Sequence, residues 1–472
     1  MTQKTSIVST LGPASASREV ISQLIAAGVS TFRLNFSHGT FDDHQAILNH
    51  INEARAKLPY TISVMGDLCG PKIRTGLIES GTVLVENSTV SIAVGDDIGN
   101  GQAFSTGFAD LINEVQVGER ILIDDGQLVL SVVDKKTDRL SCNVLVGGPL
   151  SSRKGMNLPD THLSVPAITE KDWRCVDWAI EKELDFLSLS FVQRAEEIIA
   201  LKDYIKKKDS SIKVIAKIEK PLAVENIESI IQAADAIMVA RGDLGVEMDL
   251  AEVPLVQKKI TALCRRFAKP VIVATQVLQS MIENASPTRA EATDISNAVM
   301  EYADAVMLSG ETAVGKYPVA AVKTLAHICR TTEQHLDAAV NEHLHMEVGP
   351  EWAERATIAR SAAFMLDEIK VKYVVMFSRS GVLARLLSKS RIDVPVLSMT
   401  DNRTLAGQLA LYYGVISVYA PASATYQGWI ETVEKTVLDN GWAVPGDKIL
   451  LIPPLEVLSK NTSGAIIMHT IV

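Results

Sequence analysis

Lys217-Ile218-Glu219 and Ala240-Arg241-Gly242-Asp243-Leu244-Gly245 are the two runs of this sequence best equipped for chemistry. Each follows a short apolar stretch that reads as a strand, and Glu219 and Asp243 stand 24 residues apart, about one strand-plus-helix unit. Both carboxylates can therefore meet at one mouth. Two oxygen ligands, with the remaining positions left to water or substrate, suit Mg²⁺ or Mn²⁺. Lys217 and Glu219 share a face if the strand continues, because side chains repeat every second residue. An ammonium and a metal ion around one anionic substrate is the chemistry this spacing offers. The plainer reading is a set of surface ion pairs at loop starts.

Further charge gathers after other strand-like runs. Arg33 closes the second run and leads into Asn35-Phe36-Ser37-His38-Gly39, while Asp67, Lys72 and Arg74 follow the third. Arginine favours bidentate phosphate recognition and lysine supplies a compact charge. Taken singly, each also reads as a structural ion pair. Thr275, in Ala274-Thr275-Gln276, can bond substrate or position a water, although a lone threonine after a strand is more often structural. Thr288 and Glu291 fit a helix-capping box, and Thr169-Glu170-Lys171-Asp172 resembles a helix start. Gly310, within Ser309-Gly310-Glu311-Thr312, permits close approach of a phosphate. GxGxxG and GxxxxGK[ST] runs are absent, so a nucleotide site must be built another way. The nine histidines form no HExxH pair, and His343 and His345 read as exposed polar residues, which disfavours a zinc hydrolase.

These groups need a scaffold that brings them to one rim. Strand-like runs fall at residues 6–10, 30–34, 61–65, 186–189, 213–217, 236–239, 271–274 and 305–308, each followed by a helical pattern. Eight such units predict an α/β fold built on a closed (β/α)₈ barrel of the TIM type. Residues 1–70 and 165–346 together supply 252 residues, against the roughly 250 such a barrel needs. Residues 71–164 change to alternating runs with glycine turns, a small, mostly antiparallel β lid (a small β-barrel) inserted after the third strand. It leaves from the carboxyl end of a barrel strand, where it can cover a site. Residues 347–472 form a third, carboxyl-terminal α/β domain.

Composition narrows the rest. At 472 residues the chain exceeds one ordinary core, and 47% hydrophobic residues argue against large-scale disorder. The 46 basic and 56 acidic residues leave a net charge of −10, the wrong balance for a broad nucleic-acid surface. Five scattered cysteines without a CxxC pair make disulfide and zinc scaffolds poor readings. No apolar run approaches the roughly 20 residues of a membrane span, and the amino terminus carries no secretion-like stretch. A soluble, reduced, cytoplasmic protein with no membrane or nucleic-acid partner is expected.

The chain resembles the pyruvate kinase family. The resemblance rests on Leu11-Gly12-Pro13-Ala14-Ser15, Arg33 to Gly39, Asp67-Leu68-Cys69-Gly70-Pro71-Lys72-Ile73-Arg74 and Lys154-Gly155-Met156-Asn157-Leu158-Pro159. Lys217-Ile218-Glu219, Met238 to Glu247, Ala274-Thr275-Gln276, Pro287 to Glu291 and Met307 to Ala313 complete the series in family order. It implies phosphoryl transfer from phosphoenolpyruvate to ADP, giving ATP and enolpyruvate, which is protonated to pyruvate. Glu219 and Asp243 would hold the divalent ion, and Lys217 would stabilise charge on the phosphoryl group and enolate. Arg33 and Arg74 would contact phosphates, and Lys154 would reach in from the lid, with His38 also on the nucleotide side. Gly242, Asp243 and Thr275 would cradle the carboxylate and enolate. A homotetramer is implied by the same whole-chain likeness.

One departure is informative. Many relatives carry Thr-Lys-Gly-Pro-Glu with a potassium ion nearby, where this chain has Leu68-Cys69-Gly70-Pro71-Lys72. Asn35, Ser37 and Asp67 of that cation environment remain, and the Lys72 ammonium can replace the ion's charge. K⁺ is therefore not expected to be required. Ser378-Arg379-Ser380-Gly381 resembles the family's effector loop, with Asn461 to Gly464 as a neighbouring candidate. The pattern looks closest to a bacterial branch activated by AMP or sugar monophosphates, with fructose 1,6-bisphosphate as runner-up. The competing functions are a divalent-metal aldolase or lyase on pyruvate-like compounds, and a non-catalytic regulatory paralogue.

Overall fold

The computed structural model describes residues 3–161, 166–336, 346–458, 461–462 and 464–472. Met1, Thr2, the boundary residues Ser164 and Val165, His343, His345 and Ser463 lie outside the described residues. Eight parallel strands close into a barrel: β1 (Ser6–Thr10), β2 (Thr31–Asn35), β3 (Ser63–Asp67), β4 (Phe186–Leu189), β5 (Lys213–Ile218), β6 (Ala236–Ala240), β7 (Val271–Ala274) and β8 (Ala305–Leu308). β8 pairs with β1 to complete the ring. These strands are buried almost throughout, which is why they read as short continuous apolar runs rather than alternating ones.

Two departures from the sequence reading matter, one at a strand end and one at a helix start. β3 runs two residues past Met65, because Gly66 and Asp67 pair with Leu34 and Asn35 of β2. A polar Asp67 ends the apolar pattern in sequence, yet its carboxylate is bonded inside the barrel, so the strand continues. Gly66 is required there, since a Cβ would lie 2.6 Å from the Phe36 ring. Helix α1 (Glu170–Glu181) begins with a full capping box, Thr169 paired reciprocally with Asp172, where the sequence favoured only the box at Thr288. The shorter aspartate still reaches the Thr169 amide at 3.0 Å.

The lid is a six-stranded sheet, mostly antiparallel, around a core that includes Ile92, Ile121, Leu130 and Val144. It hangs from the carboxyl end of β3. Helix α2 (Arg241–Glu247) follows β6 directly. In the carboxyl-terminal region a five-stranded sheet is flanked by helices that include α3 (Val382–Lys389) and α4 (Arg403–Leu409). These two helices cap the barrel floor: Val8, Met65, Phe186, Ile215 and Met307 share one apolar cluster with Leu386, Leu405 and Leu409. Buried Asp304, just before β8, pairs with Lys389 and with Arg391 across the same junction.

Asp185, just before β4, is the other buried acid at this floor. It accepts the Val64 amide at 2.7 Å, and a Cβ on Gly407 would sit only 1.8 Å from its Oδ1. Burial pushes its carboxyl up to about 7, with the Arg55 charge opposing. Between the ordinary value near 4 and 7, the folded chain holds a proton that the unfolded chain has released. Stability therefore falls as pH rises through this window, by up to about 1.4 kcal/mol per pH unit. Asp185→Asn keeps an acceptor for Val64 and removes the titration. Denaturant unfolding at pH 5 and pH 7 is expected to show a smaller pH loss in the variant; equal losses would contradict the assignment.

Candidate active site

The carboxyl ends of the strands carry a continuous chain of charge. Arg33 of β2 donates from Nη1 to Thr10 Oγ1 at 2.9 Å and from Nε to Asp67 Oδ2 at 3.0 Å, with Nη2 on the same carboxylate oxygen. Ser188 donates to the other oxygen of Asp67. Lys217 of β5 lies 3.6 Å from Asp67, 2.7 Å from Glu219 Oε1, and donates to Ser190 Oγ at 2.6 Å. Arg33, Asp67, Lys217 and Glu219 are all buried. Burial pushes the Asp67 carboxyl upward, but Arg33, Lys217 and the Ser188 bond outweigh it and hold it at about 2. Burial likewise disfavours the Lys217 ammonium, and Asp67, Glu219 and Asp243 more than reverse that, raising it above the ordinary lysine value. Lys217 is thus held as a charged ammonium in a buried site.

Glu219 accepts the Phe191 amide through Oε2 at 2.7 Å. Its carboxyl is raised, first by burial and then by the Asp243 charge, against the pull of Lys217. Asp243 sits in the first turn of α2 and lines a cleft of about 300 Å³ between barrel and lid. Two neighbouring carboxylates that repel one another are relieved by a divalent cation, so Glu219 and Asp243 fit one. Among the described residues no group of three or more His, Cys, Asp or Glu side chains forms a metal cage. A two-carboxylate site with water and substrate completing the shell is the arrangement Mg²⁺ commonly accepts.

Thr275 follows β7 in the left-handed region at φ 66°, with Gln276 also at positive φ. For a β-branched residue this costs roughly 1–3 kcal/mol, the strain that clusters at functional sites. Its hydroxyl donates to the Ala274 carbonyl and accepts the Gly242 amide, both at 2.6 Å. The Gly242 amide is therefore engaged by Thr275 in this structure. By contrast, Gly310 serves packing: a Cβ there would lie 2.9 Å from Ile282. Glu311 and Thr312 of the same short helical turn bond backbone groups.

The rim is basic. Lys72, Arg74, Arg153, Lys154 and Lys220 line the cleft with Asp124, Asp125 and Asp243. Arg74 donates to the Arg153 carbonyl, and Lys154 pairs with Asp124 at 2.9 Å. His38 is exposed on the β2 loop; partial desolvation, then Lys72, Arg74, Arg33 and Lys171, hold its imidazole below the usual range. Asn35 accepts the Ser37 amide, and the Leu68 carbonyl accepts the Ser190 hydroxyl. Lys72 is exposed.

Several residues near the site escaped the sequence reading. Lys171 donates to the Phe36 carbonyl at 3.0 Å and lies 3.5 Å from Cys69 Sγ. Its position inside a helix-start signal masked it. Ser188 sits in the apolar run of β4 and Ser190 just past its end, where serine carries no signal of its own. Lys220 and Glu247 meet only in three dimensions. In the carboxyl-terminal region, Ser378 is buried and accepts the Gly381 amide at 2.9 Å, ahead of α3, while exposed Arg379 pairs with Glu456 at 2.7 Å. This loop is separate in the fold from the barrel mouth.

Comparison with known proteins agrees with this geometry. Residues 2–322 match the family model described as the pyruvate kinase barrel domain, and residues 356–463 match the pyruvate kinase alpha/beta domain. A pyruvate kinase of Mycobacterium intracellulare is 41% identical over 466 residues, covering 98% of both chains. That of Corynebacterium glutamicum is 40% identical over 453 residues, covering 96% of this chain and 94% of its own. The crystal structure of a pyruvate kinase from Cryptosporidium parvum superposes with a TM-score of 0.93 at 34% identity, covering 100% of this chain and 96% of that one. Closed barrel, inserted lid, α/β tail and near-full-length likeness converge: the chain belongs to the pyruvate kinase family.

Proposed function

We propose that Lys217, Arg33 and Thr275 carry out the chemistry of the family's reaction, transfer of phosphoryl from phosphoenolpyruvate to ADP to give pyruvate and ATP. The observation that carries this reading is the buried Lys217 ammonium, held charged by Asp67, Glu219 and Asp243. It concentrates positive charge where the transferring phosphoryl group and the enolate oxygen gather negative charge. Arg33 has spent three of its five N–H donors, leaving two for phosphate. Thr275, with the amides of Gly242 and Asp243, is read as holding the substrate carboxylate and enolate and orienting the network that protonates the enol carbon, for which the Gly242 amide must exchange the Thr275 hydroxyl for a substrate oxygen.

Glu219 and Asp243 would hold the family's divalent ion, Mg²⁺ or Mn²⁺, which supplies Lewis-acid charge to substrate oxygens. Arg74, Lys154 and His38 serve the nucleotide, and Lys154 must exchange Asp124 for a phosphate to do so. The division into 1–70 with 165–346, 71–164 and 347–472 is supported by sheets that stay within one segment each: the closed barrel, a six-stranded and a two-stranded sheet in the lid, and a five-stranded sheet in the tail. Ser378, Arg379, Ser380 and Gly381 are read as a phosphate cradle for AMP or a sugar monophosphate, supported by the Ser378–Gly381 turn before α3. The homotetramer is carried by near-full-length likeness to the family, and light scattering that returned 51.1 kDa would remove that claim. Among the described residues no helix is long and apolar enough to cross a membrane.

The chain is further read as K⁺-independent. Among the described residues no hydrogen-bond or ion-pair partner occupies the Lys72 ammonium, and it lines the cleft. Lys171 adds a second ammonium against the Asn35–Ser37 loop, and the Leu68 carbonyl is already bonded. The test is phosphoenolpyruvate-dependent ATP formation at fixed Mg²⁺ and ionic strength, with tetramethylammonium replaced stepwise by KCl. Flat turnover is expected. A K⁺-specific rise of about tenfold would reject independence, and absence of ATP formation would reject the site assignment.

A further inference from the structure

Glu247 ends α2 with a buried carboxylate, its side chain 1% exposed. Its Oε1 accepts Lys220 Nζ and Asn157 Nδ2, both at 2.6 Å. Its Oε2 is buried without a hydrogen-bond partner. The three residues come from three places. Lys220 lies three positions past Lys217, on the loop that leaves β5. Asn157 lies three positions past Lys154, on the short strand Met156–Asn157 by which the lid returns to the barrel. A second lid contact falls on the same helix end: a Cβ on Gly126, in the lid turn beside Asp124, would lie 3.8 Å from Val246. Both contacts land on the helix whose first turn carries Gly242 and Asp243.

A buried carboxylate is costly unless paired, and one with an unbonded oxygen is poorly explained by stability alone. The place of Glu247 at the meeting of the lid, the β5 loop and α2 suggests a role in holding the three together. We propose that Glu247 is a positioning residue: the Asn157–Glu247–Lys220 clasp sets the angle at which the lid presents Lys154 to the nucleotide, and ties that angle to Asp243 through α2. The proposal rests on the assignment of Lys154 to nucleotide phosphates. Asn157→Asp sets two carboxylates against one ammonium and opens the clasp. Adding Glu247→Gln restores a donor–acceptor pair with the original net charge, but with the direction of the bond reversed.

Two readouts test this. The KM for ADP is expected to rise about tenfold in Asn157→Asp, with kcat at saturating ADP changed less than about threefold, and the double variant is expected to recover most of the rise. Spin labels at Lys136→Cys on the lid and Lys259→Cys on the barrel report lid angle without turnover, since the native cysteines are all buried. Their distance distribution is expected to broaden in Asn157→Asp and narrow again in the double variant. Additive losses without rescue, or unchanged distances, would overturn the clasp. Distances that broaden and recover while KM stays flat would place the failure in the Lys154 assignment instead. If Asn157→Asp folds poorly, Asn157→Ala removes the same bond, and unchanged KM and distance in that variant would equally overturn the proposal.

Discussion

Lys217→Met is expected to slow phosphoryl transfer by about 100-fold or more while divalent-ion binding largely survives. The ammonium sits between Asp67 and Glu219 in a buried site, where a fixed charge is worth several kcal/mol to a transition state that gathers negative charge. Methionine preserves much of the apolar stem and removes only the charge. Asp67 keeps Arg33 and Ser188, so its carboxylate is not orphaned. Glu219 keeps the Phe191 amide and loses its cation, which favours rather than opposes a bound divalent ion. Single-turnover rates at saturating substrate, beside a Mn²⁺ titration, separate the two effects. Near-normal turnover in a correctly folded variant would remove Lys217 from the catalytic set.

Asp243→Asn and Glu219→Gln are expected to lose activity through the metal rather than through the transfer step. Each replaces an anionic ligand by a neutral one of the same shape, so the half-activating Mg²⁺ concentration should rise by an order of magnitude or more, with rate lost at limiting metal. Asp243 should be the cleaner case, because it lies at the cleft wall, whereas Glu219 also serves Lys217 and the Phe191 amide. Glu219→Gln therefore carries a structural cost, visible as a lower thermal midpoint, that Asp243→Asn should largely escape. Unchanged Mg²⁺ titrations in both variants would defeat the ligand pair.

Much of the architecture was legible because barrel strands announce themselves. Eight short apolar runs, each followed by a helical pattern, admit few topologies, and the ring from β1 to β8 is the one found. Lys217 and Glu219 could be placed on one face because a strand alternates its side chains, and Asp243 because it opens the next unit. That much is local, and local rules reach it. Tertiary structure decided the rest, since it depends on partners remote in sequence. Asp67 looked like a loop residue until Arg33, Ser188 and Lys217 bonded it within the strand. Thr275 combines a left-handed backbone with a hydroxyl that accepts the amide of Gly242, 33 residues earlier. Lys171 meets Phe36 across 135 residues, and Glu247 meets Asn157 across 90. Periodicity encodes which face a side chain takes, but charges settle on their partners only when the closed barrel and its lid bring distant segments within bonding distance.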